Sequence, residues 1–442
     1  MMTREENQLL SQTGAGTPCG DLLRRYWQPV ALSEELKNGG APLPIMLMGE
    51  ELVVFRDEQG RIGVLDAHCC HRGADLSYGR LEAGGLRCIY HGWLYDVHGK
   101  ILEQPGEPNK GENRHEICQP SFPCQEIGGV IFAYIGPGEP PLLPRYEFLH
   151  VPDAQRFVSK IHHQCNYLQS NEGNIDPVHL SFLHRNLEDS EGDRRRRVTG
   201  GEFSPNALYG ADLAPRIELE LTDFGLRIFT VRALQEAKIY FRTSNFVMPN
   251  FSTFPGQTAA EGYSVNWHVP IDDMSHWKFV IVFSREKALD QDIIGRSRDE
   301  LTTDYRMTRN KANRYLQDRK SMKTKSFSGI GHAFQAQDAC VIEGAGPIQD
   351  RTKEHLVTSD KAIVAARKLL LKGIEDVKRG RDPLHVVRDP AKNNFLHLAV
   401  ISEVTAKSAD IQAVVAKKIE EQRQNVRSRK PDLTQSYRDK EG

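Results

Sequence analysis

Two short stretches, "CCHRG" at 69–73 and "CIYHGW" at 88–93, each join a cysteine to a histidine within a few residues. They read Cys69-x-His71, sixteen intervening residues, then Cys88-x-x-His91, with Gly73 and Gly92 close behind to free the backbone. Two such loops facing each other could hold one tetrahedral zinc or a two-iron cluster. In a structural zinc site the cysteines and histidines usually come in like pairs, whereas each loop here carries one of each. A two-iron cluster accommodates the mixture. Two thiolates take one iron and two imidazoles the other, which raises the reduction potential far above that of an all-cysteine site.

The flanking sequence suits loops held on a small β scaffold. "IMLMGEELVVFRDEQGRIGVLDAHC" breaks its apolar runs at "GE" and "DEQG", as hairpins require. "GKILEQP" and "GGVIFAYIGPGEPPLLP" continue the pattern, and the Gly/Pro-rich stretch 136–144 reads as a domain junction. Beyond it, one helical stretch is expected around 163–185. "PRIELELTDFGLRIFTVRAL", "KIYFRTSNFVMPNF" and "YSVNWHVPI" alternate as an antiparallel sheet does. Past residue 286, "RSRDELTTDYRMTRNKANRYLQDRK" and "SDKAIVAARKLLLKGIEDVKRG" look helical. In "SADIQAVVAKKIEEQRQ", Ile411, Val415 and Ile419 recur as a narrow apolar stripe on a charged helix.

A second constellation lies in "NIDPVHLSFLHRN": Asp176-x-x-His179, then His184. On a straight helix Asp176 and His179 lie about 60° apart, but His179 and His184 about 140° apart. Pro177 can start or kink a helix, and either irregularity lets the rings converge. Asp176 could equally be an ordinary cap and the histidines packing residues. Two histidines and a carboxylate on one face of an iron ion, with open positions opposite, is the arrangement of non-haem Fe(II) oxygenases. "AFQAQDACVIEGAGPIQDRTKEHL" offers Asp338, Glu343 and Asp350 as the carboxylate, and spacing does not choose among them.

C-x-H-R-G, a gap, then C-x-x-H-G-W resembles the Rieske [2Fe–2S] domain over residues 45–135. The resemblance implies Cys69, His71, Cys88 and His91 as cluster ligands, with Trp93 and Tyr90 shielding the cluster. Cys70 then fills the variable slot and His68 lies outside the motif, exposed or hydrogen-bonded. D-x-x-H-x-x-x-x-H downstream, followed by "QDACVIEGAGPIQDRTKEHL", is similar to the large subunit of Rieske non-haem iron oxygenases of the phthalate-dioxygenase type. That likeness covers nearly the whole chain, "TPCGDLLRRYWQPVALSEEL" at 17–36 included. It implies His179, His184 and Asp338 as ligands of a mononuclear Fe(II), and Glu343 and Asp350 as structural. It makes Asp176 a bridging acid from His179 to a Rieske histidine, His91, of a neighbouring subunit in a homotrimer or dimer of trimers. Ile89 departs from the pattern, where a proline is common, and Cys340 has no assigned role.

The expected architecture is α+β. A helical segment, 1–43, packs on the catalytic part; a small all-β Rieske domain spans 44–140; a catalytic domain with a central antiparallel sheet flanked by helices spans 141–442. The resemblance implies a terminal oxygenase that hydroxylates an aromatic carboxylic acid with O2. Its electrons come from NAD(P)H through a ferredoxin or flavin reductase, for the chain has no G-x-G-x-x-G of its own. O-demethylation of a methoxylated, lignin-derived biaryl acid would use the same centres. An electron-transfer Rieske protein without oxygenase activity is the alternative from another class, and the residues beyond 140 argue against it. A carboxylate wants a bidentate guanidinium, so Arg216, Arg232 and Arg242, on or beside the predicted strands, are substrate candidates. Arg227 and Arg232 point to opposite faces of a regular strand. The run "DRRRR" at 193–197 reads as an exposed loop.

Lys plus Arg number 58 against 59 Asp plus Glu, which gives no electrostatic reason to expect nucleic acid. No apolar run approaches membrane-spanning length, and "MMTREENQLL" lacks the apolar core of a secretory signal. A cytosolic location is expected. Eight cysteines are too sparse for a disulfide scaffold and suit metal ligands or buried thiols there.

Overall fold

The computed structural model describes residues 2–108, 111–188, 203–235, 237–256, 262–290, 295, 298–395 and 398–428. The arginine run at 193–197 lies outside the described residues. Strands Leu43–Leu47, Glu50–Arg56 and Ile62–Asp66 form one antiparallel meander, and four short strands between Arg80 and Glu103 form another. Val53, Phe55, Leu65, Leu76, Leu86, Trp93, Tyr95 and Ile101 pack with Cys69 and Cys88 into a separate core. Burying each large side chain is worth about 1.5–3 kcal/mol, so the two loops stand on an apolar base of their own.

A third sheet ties this unit to the rest. Gln28–Leu32, in the stretch expected to be helical, is a strand that pairs with Val130–Ala133 and, through it, Cys124–Ile127. Helices Arg4–Ser11 and Pro18–Leu23 precede it. The first hairpin is pinned as well, because the Met48 and Gly49 N–H groups donate to the Pro270 and Ile271 carbonyls at 2.9 and 2.7 Å.

The larger unit is an eight-stranded antiparallel sheet. Its path runs Arg156–His163, His276–Phe283, Ser264–Pro270, Phe251–Phe254, Lys238–Val247, Gly225–Gln235 and Arg216–Leu221, with Ser402–Ala406 also on Lys238–Val247. The apolar stripe of helix Ile411–Ser428 meets this sheet as its spacing predicts: Ile411, Val415 and Ile419 pack on Phe229, Val231, Ile239 and Phe241. Helix Lys361–Lys378 also forms where expected. The stretch 296–320 does not. Its described part holds a 3-10 turn, Lys311–Leu316, and isolated bridges, with Tyr305, Arg314, Tyr315 and Leu316 all at positive φ. Tertiary bonds override its helical composition there: Tyr305 donates to Glu34 at 3.0 Å and Tyr315 to Glu343 at 2.6 Å. Among the described residues no helix is long and apolar enough to cross a membrane.

Candidate metal centres

The two cysteine–histidine loops are near copies. In each, the cysteine N–H donates five residues ahead, Cys69 to Ala74 and Cys88 to Trp93, both at 2.8 Å. In each, the following glycine closes the turn back onto the cysteine carbonyl, Gly73 at 2.7 Å and Gly92 at 3.0 Å. Both glycines sit at positive φ, +73° and +77°, which costs a Cβ-bearing residue dearly.

The loops sort their side chains by kind. Cys69 and Cys88 are buried together, while the His71 and His91 rings meet at 4.5 Å between centroids. Trp93 is buried and stacks on His71 at 4.5 Å, and Tyr90 packs on His91 but remains exposed. The buried His71 Nδ1 has no hydrogen-bond partner, as a nitrogen intended for a metal would. Among the described residues these four donors do not gather into a set tight enough for a single ion. Thiolates on one side and imidazoles on the other suit a [2Fe–2S] cluster instead of one zinc.

The surroundings also bear on the cluster. The buried Tyr95 hydroxyl lies 2.9 Å from Cys69 Sγ and 3.6 Å from Cys70 Sγ. His68 falls outside the set, 2.7 Å from the exposed Glu51 carboxylate.

The second centre begins where a helix stops. Asn166 caps helix Tyr167–Ile175, which ends with Asp176 in extended backbone ahead of Pro177. Asp176 Oδ1 accepts the Val178 N–H at 2.7 Å, so it does cap a turn, and a 3-10 turn over His179–Ser181 follows. This break, not a kinked helix, brings the His179 and His184 rings to 4.9 Å. Asp338 joins them from helix Phe334–Gly344, and the three donor atoms lie within 4.8 Å of one another. Of the other two carboxylates, Glu343 bonds to His163 and Tyr315, while Asp350 caps its own turn and pairs with Lys353.

A hydrogen bond fixes which nitrogen of His184 faces inward. Gln337 Oε1 sits 2.6 Å from His184 Nδ1 and its amide donates to the Gly331 carbonyl at 2.5 Å. His184 Nε2 is thereby left 3.0 Å from Asp338 Oδ1. His179 Nδ1 lies 3.8 Å from Asp176 Oδ2. Burial pushes the Asp338 carboxyl up, but His184, His179 and Lys278 outweigh it and hold it well below the usual carboxylate range. An ionised carboxylate and two convergent imidazoles are the donor set for Fe(II) with open positions.

The three candidate arginines divide. Arg216 pairs in register with Val231, so it lies on the sheet face opposite Arg232; it is exposed and bonds Glu218 at 3.0 Å. Arg232 and Arg242 share the other face through their partners Tyr240 and Thr230. Both are buried, and both guanidiniums lie within 6 Å of the Tyr209 ring, at 5.8 and 5.7 Å. Arg232 donates to the Pro177 carbonyl, in the ligand segment, and to the Asp212 carbonyl, each at 2.7 Å. Its Nε has no partner, and among the described residues neither arginine forms an ion pair, although the Asp212 carboxylate partly offsets the Arg232 charge. Burial, then the Arg242 charge, holds the Arg232 pKa below its usual value. Arg227 instead meets Glu220 at 2.7 Å.

Sequence comparison adds two family matches: "Rieske [2Fe-2S] domain" over residues 26–123 and "LigXa C-terminal domain like" over residues 133–434. The phthalate 4,5-dioxygenase oxygenase subunit of Pseudomonas putida is 36% identical over 403 residues, covering 87% of this chain and 89% of that protein. The 5,5'-dehydrodivanillate O-demethylase oxygenase subunit of a Sphingobium species is 31% identical over 429 residues, 95% of this chain and 91% of its own length. Among solved structures, dicamba monooxygenase bound to dicamba shares the fold at a TM-score of 0.58 and 18% identity, over 81% of this chain and 99% of that one.

Proposed function

The chain belongs to the Rieske non-haem iron oxygenase subunits, and from that premise we propose a terminal oxygenase acting on an aromatic carboxylic acid. The carrying observation is a pair of donor sets on one chain, thiolates and imidazoles at 69–91 and a His–His–Asp triad at 179, 184 and 338. In this reading Cys69, His71, Cys88 and His91 hold the [2Fe–2S] cluster of a domain spanning 44–140. His179, His184 and Asp338 hold Fe(II) in a catalytic domain spanning 141–442. When bound, the cluster supplies single electrons and the ferrous ion activates O2. The electrons come from NAD(P)H through an external ferredoxin or flavin reductase.

The protein's own part is positional. Gln337 holds His184 with Nε2 inward. Asp176 keeps one oxygen on the Val178 N–H and the other toward His179, with capacity left for His91 of a neighbouring subunit in a trimer or a dimer of trimers. Exposed apolar side chains next to His91 support that assembly: Ile89 and Tyr90 are 60 and 56% exposed. Arg232 and Arg242 bring buried positive charge that no described ion pair neutralises, which is what an anionic substrate would meet. Arg216 takes no part. The similarity to enzymes that act on phthalate and on 5,5'-dehydrodivanillate supports an aromatic acid.

The second of those relatives favours O-demethylation as the alternative reaction. Reduced protein given O2 and a panel of phthalates, phenoxybenzoates and methoxylated biaryl acids distinguishes the two by product mass. A dihydrodiol is expected for ring hydroxylation, and formaldehyde plus a phenol for demethylation. No oxygenated product from any acid would return the chain to simple electron transfer.

A further inference from the structure

His163, His268, His276 and Lys278 stand on one face of the large sheet, all fully buried. Register pairs His163 with His276 and His268 with Lys278, and alternation puts His276 and Lys278 on the same side. Helix Phe334–Gly344, which carries Asp338, bonds to this block at two places. Lys278 Nζ donates to Gln335 Oε1, and Glu343 Oε1 lies 3.2 Å from His163 Nδ1.

Glu343 has a second aspect. It lines an open cavity of about 230 Å³ together with Gln164, Met274, Ser275, Lys311 and Pro347. Its Oε1 also accepts from the Gln164 N–H at 3.2 Å and its Oε2 from Tyr315 at 2.6 Å, so the carboxylate is held at the cavity wall beside His163. Across the imidazole, His163 Nε2 is buried without a partner. Lys278 is the diagonal cross-strand neighbour of His163, within reach of a long side chain or one water.

We propose that Glu343 and His163 form a proton inlet from this cavity to the iron side of the sheet. The proposal rests on the oxygenase reading, because each turnover there consumes O2, two electrons and two protons. A monooxygenation releases one oxygen as water; a dihydroxylation leaves both on the ring as hydroxyls. Electrons arrive through the cluster, and the protons come from solvent. His163 releases a proton from Nε2 to a water bridging toward Lys278, while Nδ1 takes one from the Glu343 carboxyl, which water in the cavity reprotonates. Water-assisted transfer of the remaining proton from Nδ1 to Nε2 restores the starting tautomer. Only O–H and N–H bonds are exchanged, and the charge is unchanged after each passage.

Two measurements test this. In single turnover with both metals loaded, Glu343→Gln is expected to form product about tenfold more slowly or worse. Its iron content and substrate affinity should match wild type, its solvent isotope effect should be enlarged, and in Glu343→Ala formate should restore the rate. Separately, in iron-free protein the exchange of the His163 imidazole proton with solvent should slow in Glu343→Gln and recover with formate in Glu343→Ala. A wild-type rate and isotope effect in Glu343→Gln, or a defect that formate leaves untouched, overturns the inlet. Should Glu343→Gln lose iron, the exchange measurement decides alone: unchanged exchange overturns the inlet. If wild type itself makes no product, the oxygenase reading fails while the exchange result still judges the inlet.

Discussion

Gln337 Oε1 lies 2.6 Å from His184 Nδ1, on the helix position immediately before Asp338. One turn of chain therefore supplies both a carboxylate of the proposed iron triad and the group that sets the tautomer of a facing histidine. Losing such a partner typically costs about 10- to 100-fold in metal affinity. Gln337→Leu should weaken Fe(II) binding by that factor, read by titrating iron-depleted protein, with the cluster spectrum unchanged.

The Tyr95 hydroxyl lies 2.9 Å from Cys69 Sγ. As a cluster thiolate in the proposed reading, that sulfur can only accept, so Tyr95 donates. The bond stabilises the more electron-rich, reduced cluster, so Tyr95→Phe should lower its reduction potential. About 1 kcal/mol for the lost bond corresponds to roughly 40 mV for one electron. Spectroscopic redox titration checks the sign as well as the size.

Asp176→Asn keeps the Val178 contact and removes the charge. Metal analysis should find both centres filled while turnover falls sharply. Normal turnover by this variant would dismiss the bridging role.

Arg242→Gln should raise KM for the acid substrate with little change in kcat. A hydrogen bond to a charged group is worth about 1.5–3 kcal/mol, or roughly 10- to 150-fold. The corresponding amide, which has no charge to lose, should show a much smaller effect in the same kinetics.

Glu172 sits one turn before Asp176, buried between Arg351 at 3.0 Å and Arg367 at 2.6 Å. Burial pushes its carboxyl up, but Arg351 and then Arg367 prevail and hold it below the usual range. A depressed folded pKa means its stabilisation is complete above the ordinary carboxylate pKa and is lost as pH falls through the folded value. Glu172→Gln should destabilise by about 3–5 kcal/mol near neutrality. The gap in Tm from wild type should then narrow on acidification.

Spacing made the cysteine–histidine loops legible because each ligand pair lies within one turn, and local sequence encodes local turns. Alternation likewise revealed Arg216–Leu221, Gly225–Gln235 and Lys238–Val247. It could not show strand Arg156–His163, whose Lys160 and His163 are buried by partners far along the chain. The choice of Asp338 over Glu343 and Asp350 was equally out of reach from spacing, because it depends on where one helix lies over the sheet. Gln337 and Tyr95 carried no signal beyond their position near a motif. The helical expectation for 296–320 failed since Tyr305 and Tyr315 are held by distant acids.

Both ends of the cluster-bearing unit leave from one sheet, Gln28–Leu32 beside Val130–Ala133, and its first hairpin is bonded to the rim of the large sheet at Pro270 and Ile271. A head moored at three places cannot swing like one on a single tether. His71 and His91 are thus presented in a fixed direction, so in the proposed reading whatever accepts an electron from them must be brought there by docking. The gap that electron crosses is consequently set when subunits or partners come together, not afresh at every catalytic cycle.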